Sequence, residues 1–429
     1  MKSNLRVDIA ILGGGIAGLG ASLGAKRQQR DAVVFEASKS AGGLLDNFSI
    51  QGFRFDNAVH LSFATEPEVR AIFDQTPFFT HASDSLNFET ERWLKHPVQN
   101  NLYPLDADDK VTLIESFLAR PENVDIENYQ DWLIHQYGHG IAERYPIRYT
   151  KKYWQCEANE LSTTWIGNRM RRAEFGEILR GSYTSDTPNT YYTKEMRYPV
   201  KGGYKQFIKP LLDDANILLE HRAIAIDLKE KLVTFSNGLE VRYNDLVNTL
   251  PLPLFIELCG QQVPSDVRES ALQLEATSID LISVGFNKAI VKDLWFYIYD
   301  EDILASRAYS PSVKSSDNVP DGCSSLQFEV YNPSQNSQHT SEELKENVLY
   351  ALAKMKIAVQ EDIIFMEHKH LPWGNVVFKL GMESHRKNVL DFIKNQKIYT
   401  AGRFGEWEYF WSNQSFLSGF NLVYQSDYF

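Results

Sequence analysis

The first patterned stretch of the chain is apolar at all but one position. Val7-Asp8-Ile9-Ala10-Ile11-Leu12 runs directly into glycine, which predicts a short parallel strand buried on both faces. Residues 17–27 read as a helix, and Ala32-Val33-Val34-Phe35-Glu36 as a second strand that closes on an acid. The apolar run 7–23 as a whole is broken by glycines and lacks both the basic start of an export signal and the length of a membrane span. It is therefore read as strand, turn and helix, with no transmembrane segment.

Further along, residues 110–118 and 129–137 carry the amphipathic period of helices, within a predominantly helical region from 106 to 180. A second group of strands follows. Residues 221–254 hold Ala223-Ile224-Ala225-Ile226, a Ser-Asn-Gly turn at 236–238 and Leu246-Val247-Asn248-Thr249-Leu250-Pro251. Polar and apolar residues alternate at many positions from 278 to 287, and 326–331 is another strand, so an antiparallel sheet is expected there. Residues 310–323, rich in Ser, Asp and Pro, read as a loop. Ile398-Tyr399-Thr400-Ala401-Gly402-Arg403 reads as a late strand.

At 429 residues the chain exceeds the ~250–300 at which one hydrophobic core stops growing, so two or three domains are expected. With 43% hydrophobic and 23% charged residues it is an ordinary globular sequence. A formal net charge of -12 argues against nucleic acid as a partner, because no basic surplus is available for a phosphate backbone. Any anionic ligand must meet a local cluster of arginines. Cys156, Cys259 and Cys323 are too few and too far apart for a disulfide framework or a metal site. A reducing, cytoplasmic setting fits best.

The chemistry begins at Gly13-Gly14-Gly15-Ile16-Ala17-Gly18, between the first strand and its helix. Gly13 permits the tight turn, Gly15 lets a pyrophosphate approach the backbone, and Gly18 lets helix and strand pack closely. The N–H groups at the helix start, around Ile16 and Ala17, face the phosphates. Glu36 stands where a carboxylate accepts ribose hydroxyls. The following Ala41-Gly42-Gly43-Leu44 resembles the extended fingerprint of two-domain flavoproteins, which implies FAD as the cofactor, with Ile224 and Gly402 as further contacts. The fold class expected is α/β: a discontinuous Rossmann-type FAD-binding domain (1–80, 197–262 and 388–429), a helical insertion (105–190) and an antiparallel-sheet substrate domain (263–387) roofing the flavin.

Other segments resemble the UDP-galactopyranose mutases, particularly their eukaryotic-type branch. Gly402-Arg403-Phe404-Gly405-Glu406-Trp407-Glu408-Tyr409, followed by Ser412-Asn413-Gln414-Ser415, is the strongest match. By resemblance Arg403 and Tyr409 hold a substrate diphosphate, and Asn413, Gln414 and Ser415 lie against the flavin. Leu294-Trp295-Phe296-Tyr297, with Arg307 ten positions after Tyr297, matches a second Tyr and Arg pair. His96-Pro97-Val98-Gln99 is similar to a nucleotide-side loop and implies Gln99 as a ligand, although His96 and Val98 replace aromatic residues. Trp154 and Arg169 occupy substrate-facing lid positions, with Thr150 where Asn is expected. Phe55-Asp56-Asn57-Ala58-Val59-His60 corresponds to a loop whose histidine lies near the flavin, its usual paired glycines replaced by Ala58 and Val59. Trp373 stands where a phosphate-binding Tyr is expected.

The resemblance implies a nucleotide-sugar pyranose–furanose mutase serving cell-surface polysaccharide biosynthesis, with a nucleoside-diphosphate sugar as substrate, a reductant such as NAD(P)H, and reduced FAD attacking the anomeric carbon. Arg307, Arg403 and His60 are its candidate catalytic residues, and no metal is expected. The alternative is an FAD-dependent oxidoreductase of the amine oxidase or protoporphyrinogen oxidase type. An inactive flavoprotein scaffold is a third reading, opposed by the two Arg/Tyr pairs. The sugar, the base and the oligomeric state are left open.

Overall fold

The computed structural model describes residues 4–167, 170, 172, 174–188 and 195–424. The apolar opening run forms β1 (Asn4–Leu12), the glycine turn leads into α1 (Ile16–Arg27), and β2 (Ala32–Phe35) follows. β1 lies between β2 and the strand Glu240–Asn248, parallel to both. Ile9, Ala10 and Ile11 are fully buried, which explains why the carboxyl half of this strand, Ile9 to Leu12, is continuously apolar. Ile217–Leu218 and Tyr399–Thr400 extend the parallel part, while Ala223–Asp227 and Leu232–Phe235 add an antiparallel hairpin at one edge.

The register brings the strand ends together. Leu12 opposes Phe35 on one side and Asn248 on the other, and Asn248 in turn opposes Thr400. A crevice therefore opens beyond the carboxyl ends of these strands, where a doubly wound sheet binds its ligand. The expected strand at 398–403 is shorter than its apolar pattern suggested. Only Tyr399–Thr400 pairs, because Gly402–Gly405 turns helical at once and carries Arg403 toward the crevice.

A second seven-stranded sheet orders Ile363–Leu371, Ser278–Phe286, Ser324–Asn332, Arg307–Tyr309, Trp295–Ile298, Leu86–Glu89 and Arg92–Lys95 from edge to edge. It is antiparallel except where Leu86–Glu89 runs parallel to Trp295–Ile298. Residues 86–95 thus belong with this sheet, although they lie far upstream of it in sequence. Ser278–Phe286 and Ser324–Asn332 are buried at every position. Their alternation separates two covered faces, one packing Ile282, Val284, Phe328 and Val330 under the helix Ser341–Lys354 and the other turning Ile279, Leu281, Glu329 and Tyr331 toward the crevice.

The stretch 310–323, read as a loop from its composition, contains a helical turn at Pro311–Lys314 and a tighter turn at Ser316–Asn318. Lys314 is 1% exposed and pairs with the equally buried Asp56 at 2.9 Å. Ser310, Ser315 and Asn318 are buried as well, Ser315 donating to the Val200 carbonyl at 2.6 Å and Asn318 to the Pro311 carbonyl at 3.0 Å, while Ser316, Asp317 and Asp321 are exposed, a division that composition alone could not show. The helical region contains Ala107–Leu118, Tyr129–Ala142 and Arg148–Trp154, capped by Asp106 and Asn128 at the first two N-termini. A wide π-type turn at Glu143–Ile147 accommodates Pro146, which has no N–H to give. No described helix is long and apolar enough to cross a membrane.

The C-terminal helix Ser412–Tyr424 packs along α1 so closely that a Cβ on Gly419 would lie 1.9 Å from the Ala17 carbonyl oxygen, and one on Gly20 would lie 2.4 Å from that of Phe416. These clashes are with backbone, so side-chain motion cannot relieve them. Gly419→Ala is expected to cost about 1–3 kcal/mol by overpacking, read as a lower Tm, and to weaken retention of any ligand at the α1 N-terminus. An unchanged melting curve would mean that the two helices separate freely.

Candidate functional site

The two sheets and the helical region enclose a cavity of about 1130 Å³. Single-ligand pockets typically span ~300–1,000 Å³, so this space suits a dinucleotide and a second molecule together. One arm is built by the glycine turn, Glu36, Ser38, Gly42, Gly43 and Leu44; the other lies under the helical region, between Gln99, Tyr129, Tyr149, Trp154 and Trp165.

The dinucleotide arm fits its proposed occupant. A Cβ placed on Gly15 meets nothing within 4 Å, so the α1 N-terminus borders open space where a phosphate can reach the backbone. Gly42 has φ 127° and its N–H donates to the Gly14 carbonyl at 2.8 Å, closing the second glycine segment over the first. The carboxylate of Glu36 accepts the Gly14 and Ser38 N–H groups, each at 2.8 Å, and lines the cavity. Gly13, Ile16, Ala17, Gly402 and Ser415 also line it.

Gly18 abuts the Gly13 carbonyl, where a Cβ would come within 2.1 Å, so it serves the close packing expected of it rather than touching a ligand. Three expected cofactor contacts do not line the cavity. Asn413 donates to Glu66 Oε1 at 2.7 Å, and Gln414 Oε1 accepts the Trp411 N–H at 2.9 Å. Neither lines the cavity. Ile224 is 52% exposed, because the antiparallel hairpin turns its side chain outward.

Among expected substrate ligands, Gln99, Trp154, Tyr297, Arg307, Arg403 and Tyr409 all line the cavity, and Arg169 lies outside the described residues. Tyr297 and Arg307 oppose each other directly across antiparallel strands, which accounts for their ten-residue spacing. Arg307 then opposes Glu329, Glu329 opposes Leu281, and Leu281 opposes Lys369. One cross-strand row thus carries a phenol, a guanidinium, a carboxylate and an amine on a single face. Glu329 Oε2 accepts from Arg307 Nε and, at 2.8 Å, from the Tyr331 hydroxyl, while Arg307 Nη2 donates to Tyr331 Oη at 3.0 Å. Burial disfavours the Arg307 charge, but Glu329 beside it overrides that and holds the guanidinium well above its ordinary range. Its Nη1 has no partner among the described residues.

Arg403 is held differently. Its Nε and Nη2 donate to the Phe410 carbonyl at 2.9 and 2.6 Å, and Nη1 reaches Asn375 Oδ1 at 3.4 Å. It forms no ion pair among the described residues, so its charge stands uncompensated at the cavity wall. The guanidinium carbon lies 5.4 Å from the centre of the Tyr409 ring, itself packed against Trp154 and Trp165. Trp373 meanwhile packs edge-on against Phe404 and Trp407.

The loop bearing His60 is tied to the same row, since the Val59 N–H donates to Glu329 Oε1 at 2.8 Å. Ala58 adopts φ 70°, a left-handed conformation that strains any residue but glycine by ~1–2 kcal/mol. His60 Nδ1 lies 3.1 Å from the Ala58 carbonyl, the ring faces Tyr204, and burial lowers its pKa to about 4. Burial likewise lowers His96, its ring tilted against that of Tyr297 at 4.8 Å between centroids, to about 4. Both imidazoles are neutral at physiological pH. Glu329, Tyr331, Tyr149 and Lys369 were missed from sequence. The signal for Glu329 and Tyr331 was a carboxylate and a phenol two residues apart on one face of a strand otherwise apolar on its other face.

Residues 11–76 match the family model of the NAD(P)-binding Rossmann-like domain. Among solved structures, the chain is similar to a reduced UDP-galactopyranose mutase, at 23% identity over 97% of this chain and 94% of that one, with a TM-score of 0.90. It is also similar to a protein assigned as a protoporphyrinogen oxidase from Exiguobacterium sp. 255-15, at 16% identity over 99% of both chains and a TM-score of 0.74. A putrescine oxidase bound to putrescine follows at 13% identity, 99% of both chains and a TM-score of 0.64. The mixed α/β architecture, with its nucleotide-binding sheet and its antiparallel sheet, is therefore shared with mutase and oxidases alike.

The two buried histidines make stability depend on pH. Their folded pKa values, about 4, lie below the ordinary 6.5, so between these limits the unfolded chain binds more protons. Stability is fully present above about 6.5 and falls, by at most ~1.4 kcal/mol per pH unit per histidine, as pH drops toward 4. Thermal melts from pH 7 to 4 should show this slope, reduced in His60→Gln and in His96→Gln. Identical slopes in all three proteins would mean that neither ring is held neutral.

Proposed function

We propose that this chain is a flavin-dependent enzyme that interconverts the pyranose and furanose forms of a nucleoside-diphosphate sugar, a step that supplies furanosyl donors for cell-surface polysaccharide. The observation that carries this reading is the pair of guanidiniums, Arg307 from the antiparallel sheet and Arg403 from the C-terminal segment, lining one cavity with the glycine turn. An acidic chain with net charge -12 has placed uncommitted positive charge on a cavity wall. Guanidinium forks with phenol hydroxyls beside them bind a diphosphate. The similarity to a reduced UDP-galactopyranose mutase supports the same reading.

Gly15, the α1 N-terminus, Glu36 and the Gly42-Gly43 segment would hold FAD, whose reduced ring supplies a nucleophile for the anomeric carbon. The protein's own contribution is electrostatic and steric. Arg307 and Arg403 favour the diphosphate as its negative charge grows on leaving. Their phenol neighbours, Tyr297, Tyr331 and Tyr409, supply hydroxyl donors. The aromatic wall formed by Tyr149, Tyr153, Trp154 and Trp165 keeps water from the opened sugar. His60, neutral and turned to the Ala58 carbonyl, shapes the flavin loop without adding charge. A hydride donor such as NAD(P)H would keep the flavin reduced.

Trp373, in place of a phosphate-binding Tyr, favours a second reading as an oxidoreductase of the amine oxidase type. The two readings separate by redox demand. A mutase converts NDP-hexopyranose to furanose only after anaerobic reduction and with no net electron transfer; an oxidase bleaches its oxidised flavin when substrate is added without reductant. Arg403→Ala is expected to weaken nucleoside-diphosphate binding by ~1.5–3 kcal/mol, about 10- to 100-fold in Kd by calorimetry. Binding as tight as the parent's would remove Arg403 from the clamp.

A further inference from the structure

Arg403 Nη1 leads to a polar side chain that nothing so far has assigned. Asn375 follows Trp373 and Gly374 where the last strand of the antiparallel sheet ends, and its side chain lines the cavity with only 5% of the residue exposed. Its backbone is clamped on both sides by Thr277: the Asn375 N–H donates to Thr277 Oγ1 at 3.0 Å, and the Thr277 N–H donates to the Asn375 carbonyl at 2.8 Å. Gly374 makes this clamp reachable, since a Cβ there would lie 2.6 Å from Ile279 Cγ1.

The orientation of the amide follows from its neighbour. A guanidinium can only donate, so the end of the amide facing Arg403 Nη1 at 3.4 Å is Oδ1. The other end, Nδ2, is then a donor. It is buried in the cavity wall and has no partner among the described residues. Of the buried polar atoms left without a partner, this one belongs to a residue of the cavity wall beside Arg403, where a bound group can complete it.

We propose that Asn375 is a binding residue for the diphosphate of the substrate, its Nδ2 donating to a phosphate oxygen beside the Arg403 guanidinium. This rests on the nucleoside-diphosphate reading above and assigns it a further ligand. Trp373 turns its ring into the packing of Phe404 and Trp407, so the same short segment presents its polar group two residues later. A neutral amide donor next to an unpaired guanidinium recognises the oxyanion without cancelling the charge that attracts it.

The test titrates wild-type, Asn375→Asp and Asn375→Ser proteins, each loaded with FAD, with UDP, dTDP and GDP, using FAD content and Tm as measures of the fold. With whichever nucleotide binds the wild type most tightly, both variants should raise Kd at least ~10-fold, the loss of one hydrogen bond to a charged group. FAD content should stay at the wild-type level. Asn375→Asp keeps the acceptor for Arg403 and inverts only the donor, so it should be the weaker binder of the two. Wild-type Kd in both variants overturns the proposal. So does weakening in Asn375→Asp alone, which would trace to neutralisation of Arg403. Weakening that matches a parallel loss of FAD and Tm overturns it too, as a fold effect. If the wild type binds none of the three nucleotides, the diphosphate reading fails and this proposal with it, an outcome visible in the wild-type titration alone.

Discussion

The site depends on a single cross-strand row. Tyr297, Arg307, Glu329, Leu281 and Lys369 stand opposite one another across five neighbouring strands of the antiparallel sheet, so their side chains share one face. Within it Glu329, fully buried, is the element on which the others depend. One oxygen binds Arg307 and Tyr331, and the other takes the Val59 N–H from the loop that carries His60. A carboxylate so placed holds the guanidinium charged and fixes its direction. It also ties a wall of the second sheet to a loop that borders the nucleotide-binding sheet.

Stability does not explain such an arrangement. Taking a carboxylate and a guanidinium out of water is costly, and a row of well-packed apolar residues often serves a fold as well or better. The face beneath, where Ile282, Val284, Phe328 and Val330 pack under the helix Ser341–Lys354, is built in that cheaper way. On that face the buried carboxylate of Asp280 stands at one end of the strand, held by His368 and His370, whereas on the cavity face the charges lie within the row itself. The contrast between the two arginines extends the point: Arg307 is compensated by Glu329 and thereby immobilised, whereas Arg403 is oriented only by neutral acceptors and keeps its full charge for a ligand.

What could be read from the sequence was whatever local spacing encodes. The glycine turn, its strand and helix, and the Glu36 carboxylate follow from a pattern that must be contiguous to work, and Gly13, Gly15 and Glu36 line the cavity. Tyr297 and Arg307 were named through the resemblance to the mutases, and a hairpin sets them directly opposite each other. Glu329 and Lys369 were not, since they join the row only through the register of strands 22 and 40 residues beyond Arg307 and Glu329 respectively. Composition misled in part at 310–323, where Lys314 is buried against Asp56 between the rings of Tyr198 and Tyr309 while Asp317 and Asp321 stay exposed. Ile224 misled for the opposite reason: an apolar residue on a strand predicts burial, but an edge hairpin leaves one face in solvent.

The same distinction explains how one architecture hosts mutase and oxidases alike. The nucleotide-binding sheet constrains sequence tightly, through glycines whose Cβ atoms would meet backbone, and so a dinucleotide arm persists at low identity. The antiparallel sheet constrains only which face each residue occupies. Along its cavity face any polar residue that finds a cross-strand partner can be accommodated, so chemistry changes by substitution within a row while the strands stay in place. In this chain the row and the Arg403 segment supply two guanidiniums, several phenols and a free amide donor, a set of positive and neutral donors with one internal counter-charge. On the proposed reading, that set suits a spread, doubly charged oxyanion better than an amine, whose positive charge the uncompensated Arg403 would repel.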